Sequence, residues 1–151
     1  MTGRGAFQYG GRWNSPEHAV VYASGTLTLA MLEVLVHIDD AEAFLAKEQV
    51  YHAVRFDEDD AAVLEEASLP PGWNARPETM ASQAVGDEFV ELGEQIVLAV
   101  PSVVVPGDLR WDPLYMNYLA NPRHPRFRAA IEVGAVRRLD WDPRLAGAPD
   151  A

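Results

Sequence analysis

The fold is decided by residues 10–39, which read GGRWNSPEHAVVYASGTLTLAMLEVLVHID. From Thr26 onward, apolar side chains recur at helical spacing, and Thr26 or Ser24 can cap the first turn. This pattern predicts a helix that ends at Asp39 and Asp40. Because further apolar residues fall on its opposite side, we expect the helix to be packed on nearly all sides. These further residues are Leu29, Leu32 and Val36.

One carboxylate, Glu33, lies inside this apolar pattern. An ionised carboxylate left unpaired in apolar surroundings costs several kcal/mol, so Glu33 needs a partner, a raised pKa or a cleft. His37 lies one helical turn further on and is a candidate partner. The sequence leaves two interpretations open. Glu33 either forms a structural pair with His37 or an arginine, or it is a catalytic carboxylate at the floor of a pocket.

A glycine-rich segment at residues 1–11 precedes Arg12, Trp13 and Asn14. It shows neither a helical nor a strand period, which predicts a loop whose backbone can approach a ligand closely. An arginine after such a loop can bind a pyrophosphate or a carboxylate in bidentate fashion, because its donors form a rigid fork. The alternative is a surface arginine stacked on Trp13.

Tyr22 lies near the end of a short apolar run at residues 19–23, which predicts a strand just before the helix. Tyr22 is either a core aromatic residue whose hydroxyl finds a hydrogen bond, or a flat platform for a ligand ring.

Short strands dominate the rest of the chain, with two further helices predicted. Residues 57–67 are predicted to form an acidic surface helix, and residues 79–92 an amphipathic helix that contains Gly86. Pro101 and Ser102 interrupt the most strand-like run, which predicts a bulge or a sheet edge there. Predicted strands cover residues 50–56, 96–105, 116–120, 129–133 and 136–141. We therefore expect one α+β domain over residues 1–151, with a flexible tail at 146–151.

The composition excludes several classes of function. The chain has 151 residues, no cysteine and a formal charge of -11, which argues against disulfides, thiolate metal sites and general binding to nucleic acid. We expect a cytoplasmic protein, because the sequence has neither a signal peptide nor an apolar run of about 20 residues that could span a membrane. The histidines lack HExxH spacing, so we expect no metal. Ser102 lacks the GxSxG elbow of hydrolases.

Several segments in series resemble the RES domain family, the toxins of bacterial RES-Xre toxin-antitoxin systems. The resemblance covers about residues 3–145. It is carried by GGRWNSPEHAVVYAS, LTLAMLEVLVHID, PPGW, SQAVGDEFVELGEQIVLAVPSVVV, NYLANPRHPRF and LDWDPRL. It implies a compact ADP-ribosyltransferase-like fold with short, mostly antiparallel strands and a few helices.

The resemblance also implies an enzyme whose substrate is NAD. Family members break the nicotinamide-ribose bond and hand the ADP-ribose to water, phosphate or a protein side chain. A cognate Xre-type helix-turn-helix antitoxin is expected to block the entrance of the active site, and a homo-oligomer within that complex is compatible with the family.

The family's functional residues correspond to Arg12, Tyr22, Glu33 and Ser102. The resemblance implies that Glu33 stabilises the oxocarbenium-like transition state, Arg12 clamps the pyrophosphate, and Tyr22 stacks on the nicotinamide or its ribose. Ser102 is expected to bond near the carboxamide or ribose, and Trp13 and Asn14 to contribute to NAD binding.

One departure from the family leaves an alternative open. Members usually begin with a further N-terminal strand that carries another arginine, and Arg4 is only a weak substitute for it. The alternative is a catalytically weak or inactive RES-like module that only engages the antitoxin.

Overall fold

The computed structural model describes residues 1–38 and 40–146. The helices are α1 (Arg4–Tyr9), α2 (Leu27–Leu35), α3 (Ala41–Leu45), α4 (Met80–Leu92) and α5 (Phe127–Ala130). The strands are β1 (Val21–Ser24), β2 (Gln49–Tyr51), β3 (Val54–Arg55), β4 (Ala61–Val63), β5 (Val97–Pro101), β6 (Met116–Ala120), β7 (Glu132–Val133) and β8 (Arg137–Leu139). Single turns of 3-10 helix lie at Glu58–Asp60, Glu66–Ser68, Gly107–Leu109, Pro113–Tyr115 and Pro143–Ala146. From residue 147 on, the predicted tail lies outside the described residues.

A four-stranded sheet with the strand order β1-β6-β5-β4 forms the centre of the fold. β6 runs antiparallel to both β1 and β5, whereas β4 runs parallel to β5. Two smaller antiparallel pairs, β2 with β8 and β3 with β7, lie outside this sheet. The predicted α+β class with short, mostly antiparallel strands is confirmed.

Apolar clusters cover both faces of the sheet. Every residue of β5 is buried, and because side chains alternate along a strand, Leu98 and Val100 pack on one face and Val97 on the other. Helix α4 covers the first face through Phe89 and Val90. The sheet is therefore packed on both faces, and it fixes the positions of the residues at its end.

Helix α2 begins where the sequence predicts and ends earlier. The hydroxyl of Thr26 accepts a hydrogen bond from the Leu29 amide at 3.1 Å, which caps the first turn. The helix ends at Leu35, and Asp39, where it was expected to end, lies outside the described residues.

The expectation that α2 is packed on nearly all sides is wrong. Leu29 is 3% exposed, but Leu32 and Val34 are each 41% exposed and Val36 is 48% exposed. An apolar periodicity identifies residues that can be buried without identifying how many neighbouring elements will cover them. Much of the apolar surface of α2 is open to solvent.

Three other local predictions fail because tertiary contacts outweigh local pattern. Residues 4–9 form α1 and not a loop. Residues 57–67 contain β4 between two 3-10 turns and not an acidic helix, because β4 pairs with β5 and buried Asp60 forms an ion pair with Arg126 at 2.9 Å. The predicted strand 50–56 is divided between β2 and β3, which pair with different partners.

The C-terminal half of the chain follows its predictions more closely. Strand β6 has the predicted bounds, and β8 lies within the predicted strand 136–141. The predicted strand 129–133 is wrong for its first half, since α5 extends to Ala130 before β7 begins.

Pro101 occupies neither a bulge nor a sheet edge. It is the last residue of β5, paired with Met116 of β6, and β5 lies inside the sheet. Because proline donates no backbone hydrogen bond, the strand can end here and Ser102 can leave the sheet.

Gly86 lies inside the continuous helix α4, at the point where the helix packs against the backbone of Trp13. A Cβ atom at this position would lie 1.6 Å from the carbonyl oxygen of Trp13. Only glycine lets the helix approach the segment after Arg12 this closely. Helix α4 itself is confirmed and is capped by Thr79.

Candidate active site

A cavity of about 900 Å³ lies between the Gly10–Trp13 segment, β1, α2, the segment 76–78 and the end of β5. Four of the six predicted site residues are among its lining residues, namely Arg12, Trp13, Tyr22 and Glu33, whereas Asn14 and Ser102 are not. Its wall also includes apolar residues, namely Val34, Val36, Ile38, Phe44, Val103 and Val104. The cavity therefore combines a charged region with an apolar region, as ligand-binding pockets commonly do.

The carboxylate of Glu33 is held through one of its two oxygens. Glu33 Oε1 accepts hydrogen bonds from Ser102 Oγ at 2.6 Å and from Asn117 Nδ2 at 2.5 Å. Within the described part of the chain, no hydrogen bond is made to Oε2 and no ion pair includes Glu33. The structural pair with His37 or an arginine is therefore absent from the described residues, and Glu33 borders the cavity instead.

The two donors to Glu33 are themselves fixed by the sheet. Asn117 lies opposite Ser24 in the register of β1 and β6, and its Oδ1 accepts from Ser24 Oγ at 2.7 Å. Ser102 is 1% exposed and its Oγ also accepts from the Val104 amide at 3.2 Å. Because each donor has a second bond, the carboxylate is held in one orientation.

Arg12 divides its donors between the backbone and the cavity. Its Nη1 donates to the carbonyl oxygens of Trp73 at 2.8 Å and Ala75 at 2.9 Å. Burial lowers the pKa of Arg12 from its ordinary value, while the carboxylates of Glu78 and Glu33 act in the opposite direction. A guanidinium stays protonated in proteins, so the side chain brings a positive charge to the cavity.

Tyr22 lines the cavity, and its hydroxyl is hydrogen-bonded. Its hydroxyl donates to Asn14 Oδ1 at 2.8 Å and accepts from the Trp13 amide at 3.2 Å. Burial of this hydroxyl raises the pKa of Tyr22 well above its ordinary value, so the group is neutral. The residue as a whole is nevertheless 41% exposed. The hydroxyl is anchored, and the ring remains available on the cavity wall.

Trp13 and Asn14 are buried beneath the wall of the cavity. Trp13 is 2% exposed and stacks on Trp73 with ring centroids 5.7 Å apart. Asn14 is fully buried, and its amide donates to the carbonyl oxygens of Ala6 and His18. Arg110 stacks on a tryptophan ring, with its Cζ atom 5.4 Å from the centroid of Trp73. The structure thus places Trp13 and Asn14 as supports for Arg12 and Tyr22.

A polar cluster attaches the segment after Arg12 to helix α4. Ser15 Oγ donates to Asp87 Oδ2 at 2.6 Å, and His18 Nε2 lies 3.1 Å from Glu91 Oε1. The hydrogen bond with Glu91, together with the charge of Asp87, raises the pKa of His18 above its ordinary value. This cluster reinforces the close contact that Gly86 permits.

Sequence reasoning missed Asn117 and Ser24 as partners in the array around Glu33. Each belongs to an ordinary strand pattern, and only the pairing of β1 with β6 brings them together across 93 positions. It also missed Arg76 and Glu78, which line the cavity from a segment rich in proline and glycine.

Among the described residues, no group of three or more His, Asp or Glu side chains is placed to hold a metal ion. In the same residues, no helix is long and apolar enough to cross a membrane.

The fold and the cavity define an α+β domain in which a half-buried, hydrogen-bonded carboxylate and an arginine line one cavity. The sequence matches the RES domain over residues 1–142, so the chain belongs to the RES domain family. It is 33% identical over 144 residues to Toxin Res of Yersinia enterocolitica, covering 95% of this chain and 89% of that toxin. It is 35% identical over 149 residues to the Prs ADP-ribosylating toxin of Sphingobium sp., covering 96% of this chain and 86% of that toxin.

A solved structure shares the fold at lower sequence identity. A chain of the MbcT-MbcA toxin-antitoxin complex of M. tuberculosis superposes with a TM-score of 0.72 and 20% identity, covering 97% of this chain and 80% of that chain. At this identity the likeness shows the fold alone.

Proposed function

We propose that this protein is the toxin of a toxin-antitoxin system and that it cleaves the nicotinamide-ribose bond of NAD. The observation that carries the proposal is the carboxylate of Glu33, which is held through Oε1 and borders a cavity also lined by Arg12 and Tyr22. The names of the relatives support it, since one is an ADP-ribosylating toxin and another is Toxin Res.

Cleavage of this bond develops positive charge on the ribose. The C1′–N bond breaks, its electron pair leaves with nicotinamide, and the ribose passes through an oxocarbenium-like transition state. A fixed carboxylate stabilises this charge without having to reorganise during the reaction. Glu33 is the residue that supplies it, and its Oε2, to which the described residues donate no hydrogen bond, can also hold a ribose hydroxyl or orient the acceptor.

The other predicted residues bind NAD or position Glu33. The Tyr22 ring supplies a surface on which the nicotinamide or its ribose stacks. Arg12 binds the diphosphate with the donors that the backbone carbonyls leave free. Ser102 is buried and bonded to Glu33, so its part is to position the carboxylate rather than to touch the nicotinamide.

The acceptor is water, phosphate or a protein side chain. The geometry of Glu33 is compatible with all three, because each acceptor attacks the same ribose carbon from the cavity. We propose that the chain is controlled by an Xre-type antitoxin that closes the cavity. The exposed apolar residues Leu32, Val34 and Val36 supply a surface beside the site for it, and a similar fold occurs in a toxin-antitoxin complex.

The experiment is NAD consumption by the purified chain, followed by chromatography of the products. Reactions with and without phosphate, and with bacterial lysate, separate the three acceptors. We expect nicotinamide release by the wild type and its loss in Glu33→Ala. Free ADP-ribose identifies water, phosphorylated ADP-ribose identifies phosphate, and labelled protein identifies a side chain. If the wild type consumes no NAD even with lysate, the proposal is wrong and an inactive binding module is favoured.

A further inference from the structure

A second arginine, Arg76, borders the same cavity as Arg12. It directly follows the backbone segment that Arg12 holds, is exposed to solvent, and lines the cavity together with Pro77 and Glu78. In the described part of the chain, no ion pair includes Arg76. Its charge is therefore open to a ligand.

Arg12 alone cannot neutralise a diphosphate. Its Nη1 already serves the carbonyl oxygens of Trp73 and Ala75, which leaves Nε and Nη2. A dinucleotide diphosphate carries two negative charges, whereas Arg12 supplies one positive charge. A second cation on the same wall would complete the neutralisation.

The hydrogen bonds of Arg12 also fix the position of Arg76. Trp73 is held by Arg12 through its carbonyl oxygen, by Trp13 through ring stacking, and by Arg110 through a cation-π contact. The backbone reaches Arg76 one residue after Ala75, the second carbonyl that Arg12 binds. Arg76 is therefore presented by an anchored segment.

The two arginines repel each other when the cavity is empty. The charge of Arg76 lowers the pKa of Arg12, in addition to the larger effect of burial, whereas Glu78 raises it. Bringing like charges together is unfavourable, and an anion between them relieves the repulsion. In a chain of net charge -11, this pair concentrates positive charge on one side of a cavity that Glu33 and Glu78 also line, which favours an anionic ligand there.

We infer that Arg76 binds the diphosphate of the dinucleotide together with Arg12, and that the Glu78 carboxylate on the same wall competes with the diphosphate for Arg12. This inference rests on the proposed NAD chemistry and assigns a residue to substrate binding outside the array around Glu33.

The first test is the steady-state kinetics of NAD cleavage by Arg76→Ala. We expect KM to rise about tenfold, since a charge-assisted hydrogen bond to the substrate is lost, and kcat to stay within about twofold. Arg76→Lys keeps the charge and should recover part of the KM. Arg137→Ala is the matched control, because Arg137 is an exposed arginine of β8 outside the cavity lining. Equal KM values in Arg76→Ala and the control would overturn the inference.

We expect Glu78→Gln to change KM in the opposite direction from Arg76→Ala. Removing the competing carboxylate should lower KM about two- to threefold, because the exposed charge interaction is modest. Simple damage to the segment 73–78 would raise KM in both variants. A rise of KM in Glu78→Gln would contradict the proposed competition.

Calorimetric binding of ADP-ribose separates this inference from the proposed function. The probe carries the diphosphate and undergoes no cleavage, and we expect Arg76→Ala to bind it about tenfold more weakly than the wild type. A wild type that binds ADP-ribose without cleaving NAD would refute the proposed function alone. Unchanged ADP-ribose affinity in Arg76→Ala, or no binding by the wild type, would refute the role of Arg76.

Discussion

The two sides of the cavity are built in different ways. The carboxylate wall consists of Glu33, Ser102, Asn117 and Ser24. The two residues that donate to Glu33 are Ser102, at the end of β5, and Asn117 in β6. The arginine wall consists of Arg12 with the segment 73–78, and it is held by backbone carbonyls and stacked aromatic rings.

This difference suggests a division of labour. In the carboxylate wall, Glu33 of α2 is held by the buried side chains of Ser102 and Asn117, which suits a group that must not move while charge develops. The arginine wall lies on connecting segments, which can adjust to the length and charge of a ligand. We expect changes to the carboxylate wall to affect kcat, and changes to the arginine wall to affect stability and KM.

The largest expected effect on stability concerns the contact that supports the arginine wall. Gly86→Ala places a Cβ atom against the carbonyl oxygen of Trp13, at a separation of 1.6 Å before relaxation. We expect a loss of about 3 kcal/mol in the free energy of unfolding, measured by urea denaturation. In Gly5→Ala the new Cβ atom meets nothing within 4 Å, and this control should be neutral or more stable. Equal stabilities would show that α4 does not need this close approach.

The next effect concerns the donors to Glu33. Ser102→Ala and Asn117→Ala each remove one hydrogen bond to Oε1, and we expect kcat to fall about tenfold in each, with little change in KM. Ser24 contacts Asn117 and not Glu33 itself, so Ser24→Ala should lower kcat by less than either of these variants. Because both donors serve one oxygen, the double variant should lose less than the product of the two single losses. A change in KM alone would contradict a positioning role.

A smaller effect is expected from the Tyr22 hydroxyl. Tyr22→Phe keeps the ring and leaves Asn14 Oδ1 and the Trp13 amide without this partner. We expect a loss of about 1–2 kcal/mol in the free energy of unfolding and a nearly unchanged kcat. A large loss of kcat with unchanged stability would instead give the hydroxyl a direct part in the reaction.

The smallest effect is a pH dependence of the cluster around His18. Because the pKa of His18 is raised in the folded state, its contribution is fully present below the unfolded pKa of about 6.5 and is lost as the pH rises through the folded pKa. The wild type should therefore lose more stability than His18→Gln between about pH 6 and about pH 9, by at most about 1 kcal/mol. Parallel pH profiles of the urea midpoint would exclude this contribution.

The sequence predicts the parts of the molecule whose signals are local. Thr26 and Thr79 mark the starts of α2 and α4, because a cap and a helical period act within a few residues. Local sequence context and the resemblance both point to Arg12, Tyr22 and Glu33, and the structure brings them around one cavity.

The features that the sequence does not predict depend on distant pairings. β4 takes its conformation from β5, although its own segment reads as an acidic helix. Asn117 is recognisable as a partner of Glu33 only once the register of β5 and β6 is known. The open face of α2 was misjudged because a hydrophobic pattern does not say whether another element covers it.

The most direct test of the central claim is a paired measurement on Glu33→Gln, which keeps the size of the side chain and removes its charge. Nicotinamide release and the affinity for NAD are measured on the same preparation. We predict that kcat falls about 100- to 1,000-fold while NAD binding stays within a few fold of the wild type. Nicotinamide release at the wild-type rate would contradict the role of Glu33 as the carboxylate that stabilises the transition state.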